Sequence, residues 1–335
     1  MKLRSRGRFN VKRWTRILAD RLRGNDFERA LRAARSTGSH HYVFCWNRGL
    51  GDVALGLAPL FARIRAQDAD GRITVFTRAE LAEMFMLAGV DDLHVVAGLQ
   101  RGAPIDPNAA AAQAGVALSP SATVFTDPDP TQWLVGRRQA ICPSLRWDPA
   151  WNARADRLLP AIAGEFVVGA HVSSETAQYY GYAKDWPPAA WQDLIARFPA
   201  TRNVRWLLFG NAPTAAFEQS NLDDLRGRTT LLDLLAVIRT RCRLLVAPDS
   251  GILTAAFYLA EDFPLDVVSL WSDPRQGVLK QGCPSPNPRL RHEALQGRNE
   301  DVRNLPVDDV ERAIADALDR WSRLPDHADA HATAP

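Results

Sequence analysis

The stretch RLLVAPDSGILTAAFYLA, residues 243–260, contains two apolar runs joined by a Pro-Asp-Ser-Gly turn. The first run, Leu244 to Ala247, has no polar side chain, which is typical of a parallel strand covered on both faces. The second run is apolar and long enough for a helix. A strand that leads through a turn into a helix predicts an open α/β sheet, in which ligands bind at the carboxyl ends of the strands.

The Pro-Asp-Ser-Gly turn is therefore the first candidate for a binding site. The amides at the start of the following helix, together with the positive end of its dipole, favour a phosphate group. Asp249 and Ser250 offer oxygen atoms to sugar hydroxyls, and Gly251 allows close approach of a backbone. An alternative stays open, because Asp249 also suits a simple N-cap of the helix.

A second turn of the same kind lies nearer the amino terminus. The predicted strand Tyr42–Asn47 leads into Arg-Gly-Leu-Gly-Asp and then into a predicted helix from Val53 to Ala66. Gly49 and Gly51 are candidates for a loop that contacts the acceptor, and Asp52 for a general base or a helix cap. The turn lacks the third glycine of a dinucleotide fingerprint, and the next strand has no acid at its end, which argues against a nicotinamide site.

The rest of the chain continues the alternation of strand and helix. Further strands are predicted at 72–76, 94–96, 122–126, 166–171, 205–209 and 267–270, and helices at 79–88, 189–197, 229–240 and 307–321. The stretch 102–121, rich in Ala and Pro, predicts loop and weak helix. Trp186 and Trp191 are predicted to pack in a core. This order predicts an α/β protein of two βα-repeating domains that face each other across a cleft.

The sequence Asp127-Pro-Asp129 has the spacing of an acid pair that binds a metal in some sugar transferases. Because prolines stand at 128 and 130, a turn is the favoured interpretation. No metal site is therefore predicted.

The composition is that of a globular protein. The chain has 335 residues, with 46% hydrophobic and 24% charged side chains, and this length is enough for two cores. The four cysteines, Cys45, Cys142, Cys242 and Cys283, are far apart and form no CxxC pair. Because Cys45 and Cys242 lie inside or beside apolar runs, buried thiols in a reducing cytoplasm are predicted. Since no apolar stretch reaches about 18 residues and the amino terminus lacks a signal-peptide core, a cytoplasmic protein is predicted.

The formal charge of +3 is unevenly placed, because residues 2–36 carry many Lys and Arg and few acids. Such a segment indicates an anionic surface nearby, either phospholipid headgroups or a phosphorylated glycolipid, and no nucleic-acid partner is predicted. Residues 9–36 predict a helix with an apolar stripe. Two alternatives stay open for it: contact with the inner face of the inner membrane, or packing on the domain with a solvated basic face.

Four motifs, in this order and spacing, together carry a family resemblance. They are Gly51-Asp52 with Pro59, Lys184-x-Trp-Pro with Trp191 and Leu194, the run LRGRTTLLDLLAVIRTRCRLLVAPDSG at 225–251, and a strand that ends in Trp271-Ser272-Asp273-Pro274. On these motifs the chain resembles glycosyltransferase family 9, the lipopolysaccharide heptosyltransferases, over roughly residues 42–320.

The resemblance implies the GT-B fold, with two facing Rossmann-like domains and a cleft between them. The predicted boundaries are a basic helical extension at 1–40, which the family normally lacks, an acceptor domain at 41–160, a nucleotide-sugar domain at 161–305, a closing helix at 306–323 and a disordered tail at 324–335.

The resemblance also implies roles for residues at matching positions. Asp52 matches the general base on the acceptor hydroxyl, Lys184 the lysine at the donor phosphates, and Asp249 the acid that holds the donor sugar. The other matching positions belong to the phosphate contacts, the adenine pocket and the sugar turn, and they are Ser173, Ser174, Thr229, Thr230, Ser250 and Gly251.

The activity implied is an inverting, metal-independent transfer of heptose or a related sugar from ADP-heptose to a lipopolysaccharide-core acceptor, with no cofactor beyond the donor. Thr254 stands where the family usually has a histidine, and Trp271 where it usually has a glycine. These departures leave two alternatives open: a non-catalytic protein that binds a nucleotide sugar, and a transferase that acts on a protein or another glycan.

Overall fold

The computed structural model describes residues 25–134, 141–162, 164–174, 183–210 and 215–323. The chain divides into two compact units. The first unit holds the chain up to Arg48 together with Gly56–Cys142, and the second holds Gly49–Leu55 together with the chain from Pro143 onward. The predicted disordered tail and most of the predicted basic extension lie outside the described residues.

The strands of the described residues form two sheets. They are β1 His41–Trp46, β2 Arg72–Thr77, β3 Asp92–Val95, β4 Thr123–Phe125, β5 Phe166–His171, β6 Val204–Phe209, β7 Leu222–Asp224, β8 Leu244–Pro248, β9 Leu265–Trp271 and β10 Leu290–Gln296. The first unit has the order β3-β2-β1-β4, and the second has β10-β9-β8-β5-β6-β7. Every ladder in both sheets is parallel, which confirms the predicted α/β class.

Helices connect these strands. The described α-helices are α1 Asp26–Thr37, α2 Leu50–Asp52, α3 Ala58–Gln67, α4 Ala82–Leu87, α5 Pro107–Gln113, α6 Pro130–Leu134, α7 Ala153–Leu158, α8 Pro188–Ala196, α9 Leu231–Arg241, α10 Gly251–Phe257, α11 Gly277–Gln281 and α12 Val307–Ser322. A π-helical turn spans Val53–Leu57, and short 3₁₀ turns lie at Ala79–Leu81, Pro149–Asn152, Ala200–Arg202, Arg298–Glu300 and Val302–Asn304. Among the described helices, none combines the length and the apolar character that a membrane crossing requires.

Helix α1 is the described part of the predicted amino-terminal helix. It begins after Asn25, whose side chain accepts a hydrogen bond from the amide of Glu28, and it ends at Gly38 in the left-handed conformation. Phe27 and Leu31 of its apolar stripe are buried. This part of the helix therefore packs on the first unit, as one of the two sequence alternatives predicts.

The core of the second unit forms around β5, which lies between β8 and β6 and has all six residues buried. Its bounds are those that the continuous apolar run predicts. Trp186 and Trp191 are also buried, with ring centroids 5.2 Å apart, and the Trp186 Nε1 donates to the Leu305 carbonyl at 3.0 Å. The prediction that both indoles are core residues is confirmed.

The elements of the second unit that the sequence does not predict include β7, β10 and α11. Strands β7 and β10 are the two edges of the sheet, and none of their residues is fully buried. Their sequences consequently lack the apolar run that marks the central strands. Helix α11 has only five residues, so its pattern is too short to predict a helix.

The cysteines divide into two pairs with different states. Cys45 and Cys242 are buried free thiols, as predicted, and burial raises the pKa of the Cys45 thiol to about 12. Cys142 and Cys283 are disulfide-bonded, so the prediction of free thiols is wrong for these two. Sequence spacing does not reveal such bonds, because neither cysteine belongs to a CxxC pair.

Candidate active site

The carboxylate of Asp249 lies at the carboxyl end of β8, where its Oδ2 is 2.5 Å from the Lys184 Nζ. Both side chains are largely buried, with 17% of Lys184 and 12% of Asp249 exposed. Ser250, not Asp249, is the N-cap of α10, since the Ser250 Oγ accepts from the amide of Leu253 at 3.1 Å. The interpretation of Asp249 as a helix cap is therefore wrong, and the structure joins two predicted donor-binding residues in one ion pair.

Hydrogen bonds hold the chain on both sides of Lys184. Ser272, which follows β9, donates from its hydroxyl to the Ala183 carbonyl and accepts from the amide of Val302 at 2.8 Å. Two residues after the lysine, the buried Trp186 side chain donates to the Leu305 carbonyl. A cation held in this way is pre-organised to meet an oxyanion, because little side-chain entropy is lost on binding.

Ser173 and Ser174 follow β5, so their place is at the same edge of the sheet as Asp249. Both are buried, with 8% and 5% exposed. The amide of Ser174 donates to the Asp185 Oδ1 at 3.0 Å, and burial raises the pKa of that carboxyl. The sequence analysis did not identify Asp185 as the residue that fixes the main chain at Ser174, although it stands next to Lys184 in the motif.

Asp52 lies in a segment that packs directly on the Asp249 turn. A Cβ atom at Gly251 would lie 2.5 Å from the Leu50 Cδ2 and 3.3 Å from the Gly51 amide nitrogen, so any larger residue would require Leu50 and the main chain at Gly51 to shift. A Cβ at Gly51 would in turn lie 3.7 Å from the Gly251 Cα. The close approach favours glycine at 251, whereas a Cβ at 51 would make only ordinary contacts, and the Asp52 segment groups with the second unit.

The Asp52 side chain itself is exposed. The N-cap position of α2 belongs to Gly49, so Asp52 is not the N-cap of this helix. The π-helical turn Val53–Leu57 begins at the next residue, and such turns occur frequently at functional sites. An exposed carboxylate at this place can meet a hydroxyl group that arrives from solvent.

Thr229 and Thr230 lie at the start of α9. Thr230 is its N-cap, with a capping box in which its hydroxyl accepts from the Asp233 amide and the Asp233 carboxylate accepts from the Thr230 amide. Asp233 also pairs with Arg154 at 2.9 Å. These bonds explain Thr230 as a structural residue, and its predicted place beside an adenine pocket stays a prediction.

Helix α11 begins against the Asp249 carboxylate, which sequence reasoning did not foresee. Its first residue, Gly277, has φ +51°, and a Cβ there would lie 2.6 Å from the Asp249 Oδ1 and 2.7 Å from the Trp271 Cη2. Trp271 is buried, and its Nε1 donates to the Ser269 Oγ at 2.6 Å. The tryptophan and the glycine together form the wall on one side of the carboxylate.

We expect Gly277→Ala to destabilise the protein by about 2 to 4 kcal/mol, since the new methyl adds overpacking to the cost of a left-handed backbone. Gly282→Ala is the matched control. Gly282 closes the same helix with φ +61° and has no neighbour within 4 Å of its Cβ position, so only the backbone cost of about 1 to 2 kcal/mol applies. Urea unfolding of both variants measures the difference, and equal losses would remove the contact with Asp249 from the explanation.

His171 ends β5 and is buried, with its Nδ1 lacking a hydrogen-bond partner. Burial lowers the pKa of this imidazole to about 4, so the ring is neutral near pH 7. His171 therefore contributes no positive charge for a phosphate at the carboxyl edge of the sheet.

A separate polar cavity of about 340 Å³ lies in the first unit, at the carboxyl ends of β1 and β4. Asn47, Arg48 and Asp127 line it, and the Arg48 Nη2 donates to the Asp127 Oδ1 at 2.6 Å. The main-chain carbonyl of Asp129 accepts a hydrogen bond from the amide of Trp133 in α6. The turn predicted at 127–129 therefore leads directly into this helix. No group of three or more metal-ligating side chains occurs among the residues that the structure describes.

Solved structures of other proteins are similar to this fold, although the sequence matches no family. No family model matches the sequence, and no curated protein matches it. The solved structure of the E. coli ADP-heptose LPS heptosyltransferase II is similar, with 15% sequence identity, a TM-score of 0.57, and coverage of 84% of this chain and 99% of that chain. The E. coli heptosyltransferase WaaC with ADP is similar at 16% identity and a TM-score of 0.51, covering 83% of this chain and 99% of that chain.

At these identities the likeness concerns the fold. The resemblance drawn from the sequence motifs is thereby confirmed at the level of the fold, and it extends over most of the chain. The chain has the α/β fold of the E. coli heptosyltransferases, with two parallel sheets, consistent with the GT-B type.

Proposed function

We propose that this protein is a glycosyltransferase that moves heptose, or a related sugar, from ADP-heptose to a lipopolysaccharide-core acceptor. One observation carries the proposal: the Lys184–Asp249 ion pair at the carboxyl end of β8, with the Asp52 segment packed on the adjacent glycine. The heptosyltransferases with this fold are named for, or bound to, ADP or ADP-heptose, which supports the choice of donor.

The donor is proposed to separate the Lys184–Asp249 ion pair and to bind both of its members. Its diphosphate takes the Lys184 ammonium, which is a compact cation suited to phosphate, and its sugar hydroxyls donate to the Asp249 carboxylate. The hydroxyl of Ser173 adds a neutral donor at the same sheet edge, whereas the Ser174 side chain hydrogen-bonds to Asp185. During transfer the leaving diphosphate gains negative charge, and a fixed cation stabilises that charge more in the transition state than in the ground state.

Asp52 is the proposed general base. A free hydroxyl is a poor nucleophile, and a carboxylate within hydrogen-bond reach removes its proton as the bond to the anomeric carbon forms. Attack from the face opposite the diphosphate gives inversion. The proposed charge stabilisation comes from Lys184 and the Ser173 hydroxyl, so the proposed reaction requires no metal. The first-unit cavity, with one guanidinium and one carboxylate, has the chemistry to bind hydroxyls of a sugar acceptor.

The test is incubation of the purified protein with ADP-heptose and truncated core lipopolysaccharide, followed by mass spectrometry. We expect the acceptor to gain the mass of one heptose and the anomeric configuration of the new bond to be inverted. Thr254 motivates the alternative of a non-catalytic binder, because its buried hydroxyl donates to the Ser250 carbonyl and that proton is not available to the donor. Tight binding of ADP-heptose without transfer to any core, protein or glycan acceptor would favour that alternative.

A further inference from the structure

Helix α11 makes a contact at each of its two ends. At the start, Gly277 lies against the Asp249 carboxylate and the Trp271 ring. At the end, the Gln281 Nε2 donates to the Leu55 carbonyl at 2.7 Å. Leu55 is three residues after Asp52, so this short helix connects the two chain segments that carry the proposed acids.

The Leu55 carbonyl belongs to the π-helical turn Val53–Leu57. A π-turn interrupts the regular ladder of an α-helix, and a side-chain donor can then bind a main-chain carbonyl there. Gln281 supplies this donor from a distant part of the sequence, 226 positions away. The bond fixes the main chain just after Asp52, while the contact of Leu50 with Gly251 fixes it just before.

The Trp271 indole, against which α11 begins, is fixed by a chain of hydrogen bonds in the sheet. The Trp271 Nε1 donates to the Ser269 Oγ at 2.6 Å, and this oxygen is 2.6 Å from the His292 Nε2. Ser269 and Trp271 are both buried, so the indole has no freedom to move away from Gly277. Helix α11 therefore begins against a fixed indole and the Asp249 carboxylate.

We propose that Gln281 is a positioning residue that sets the place of the Asp52 carboxylate relative to Asp249 and thereby to the donor sugar. This inference rests on the proposed transferase function. Gln281 touches neither substrate and works through the Leu55 carbonyl. Geometry of this kind matters for the transfer step, since a misplacement of about 1 Å between reacting groups can lower the rate about 100-fold.

Gln281→Glu tests the proposal, because glutamate has the same shape and its ionised carboxylate cannot donate to a carbonyl. We expect kcat for transfer to fall about 10- to 100-fold while KM for ADP-heptose stays within about twofold. We also expect faster hydrogen exchange at the backbone amides of residues 50–57, as that segment loses a fixed contact. Gln281→Ala should also lower kcat and speed the exchange of residues 50–57, and it introduces no new charge.

Gln192→Glu is the matched control. The Gln192 Nε2 donates to the Ala216 carbonyl at 2.8 Å on the exposed side of α8, away from both acids in sequence and in contacts. This variant should leave kcat, KM and the exchange of residues 50–57 unchanged. A Gln281→Glu protein with unchanged exchange in that segment would overturn the inference whether or not the protein transfers sugar. Increased exchange with unchanged kcat would overturn it equally, whereas an inactive wild-type protein would contradict the proposed function alone.

Discussion

Replacing Asp52 with asparagine is expected to lower the rate of sugar transfer by about 10²- to 10⁴-fold, the usual contribution of a positioned base. The amide keeps the size of the carboxylate and cannot take the proton of the acceptor hydroxyl. Because the Asp52 side chain is exposed, stability should change by no more than about 0.5 kcal/mol. Transfer is measured by mass shift of the acceptor, and donor affinity by calorimetry with ADP-heptose, which we expect to stay within about twofold.

Asp70→Asn is the matched control for this experiment. Asp70 is an exposed carboxylate in the turn before β2 and has no proposed role, so its variant should transfer sugar at the wild-type rate. Equal turnover by the Asp52→Asn protein and the wild type would remove Asp52 from the mechanism. A loss of donor affinity that matches the loss of rate would instead make Asp52 a donor-binding residue.

Removal of the lysine should affect both stability and donor binding. In Lys184→Met, the largely buried Asp249 carboxylate loses its cation, which we expect to cost about 3 kcal/mol of unfolding free energy, near the lower end for buried pairs. The affinity for ADP-heptose should fall about 10- to 100-fold, since one hydrogen bond to a charged group is lost. Urea unfolding and calorimetry measure the two quantities separately.

The double variant Lys184→Met/Asp249→Asn distinguishes the ion pair from simple loss of a side chain. With both charges gone, no unpaired carboxylate stays buried, and we expect stability to return to within about 1 kcal/mol of the wild type. Donor affinity should not return, because the cation for the diphosphate is still absent. Additive losses of stability in the double variant would mean that the two side chains act independently.

The central strands and the turns that follow them could be predicted from sequence, because a strand that is buried on both faces has a continuous apolar sequence. Strand β5 has the predicted bounds, and β8 extends the predicted run only by Pro248. The edge strands β7 and β10 could not be found in this way, since their exposed residues carry no such run. Helix α11 is too short for periodicity to indicate a helix.

The candidate site was predictable in its residue types and not in its contacts. Asp249 and Ser250 are both good N-cap residues, so the sequence alone could not decide that Ser250 caps α10 and frees Asp249 for Lys184. The two members of the ion pair are 65 positions apart. Gln281 gave no signal, because a glutamine that binds a main-chain carbonyl has no sequence pattern.

A crystal structure of the protein soaked with ADP-heptose would show the donor and both acids together. We expect the donor diphosphate on the Lys184 ammonium, the sugar hydroxyls on Asp249, and the Asp52 carboxylate facing the anomeric carbon on the side opposite the diphosphate. A donor bound elsewhere, or the carboxylates of Asp52 and Asp249 directed into separate spaces with the sugar near only one, would contradict this arrangement.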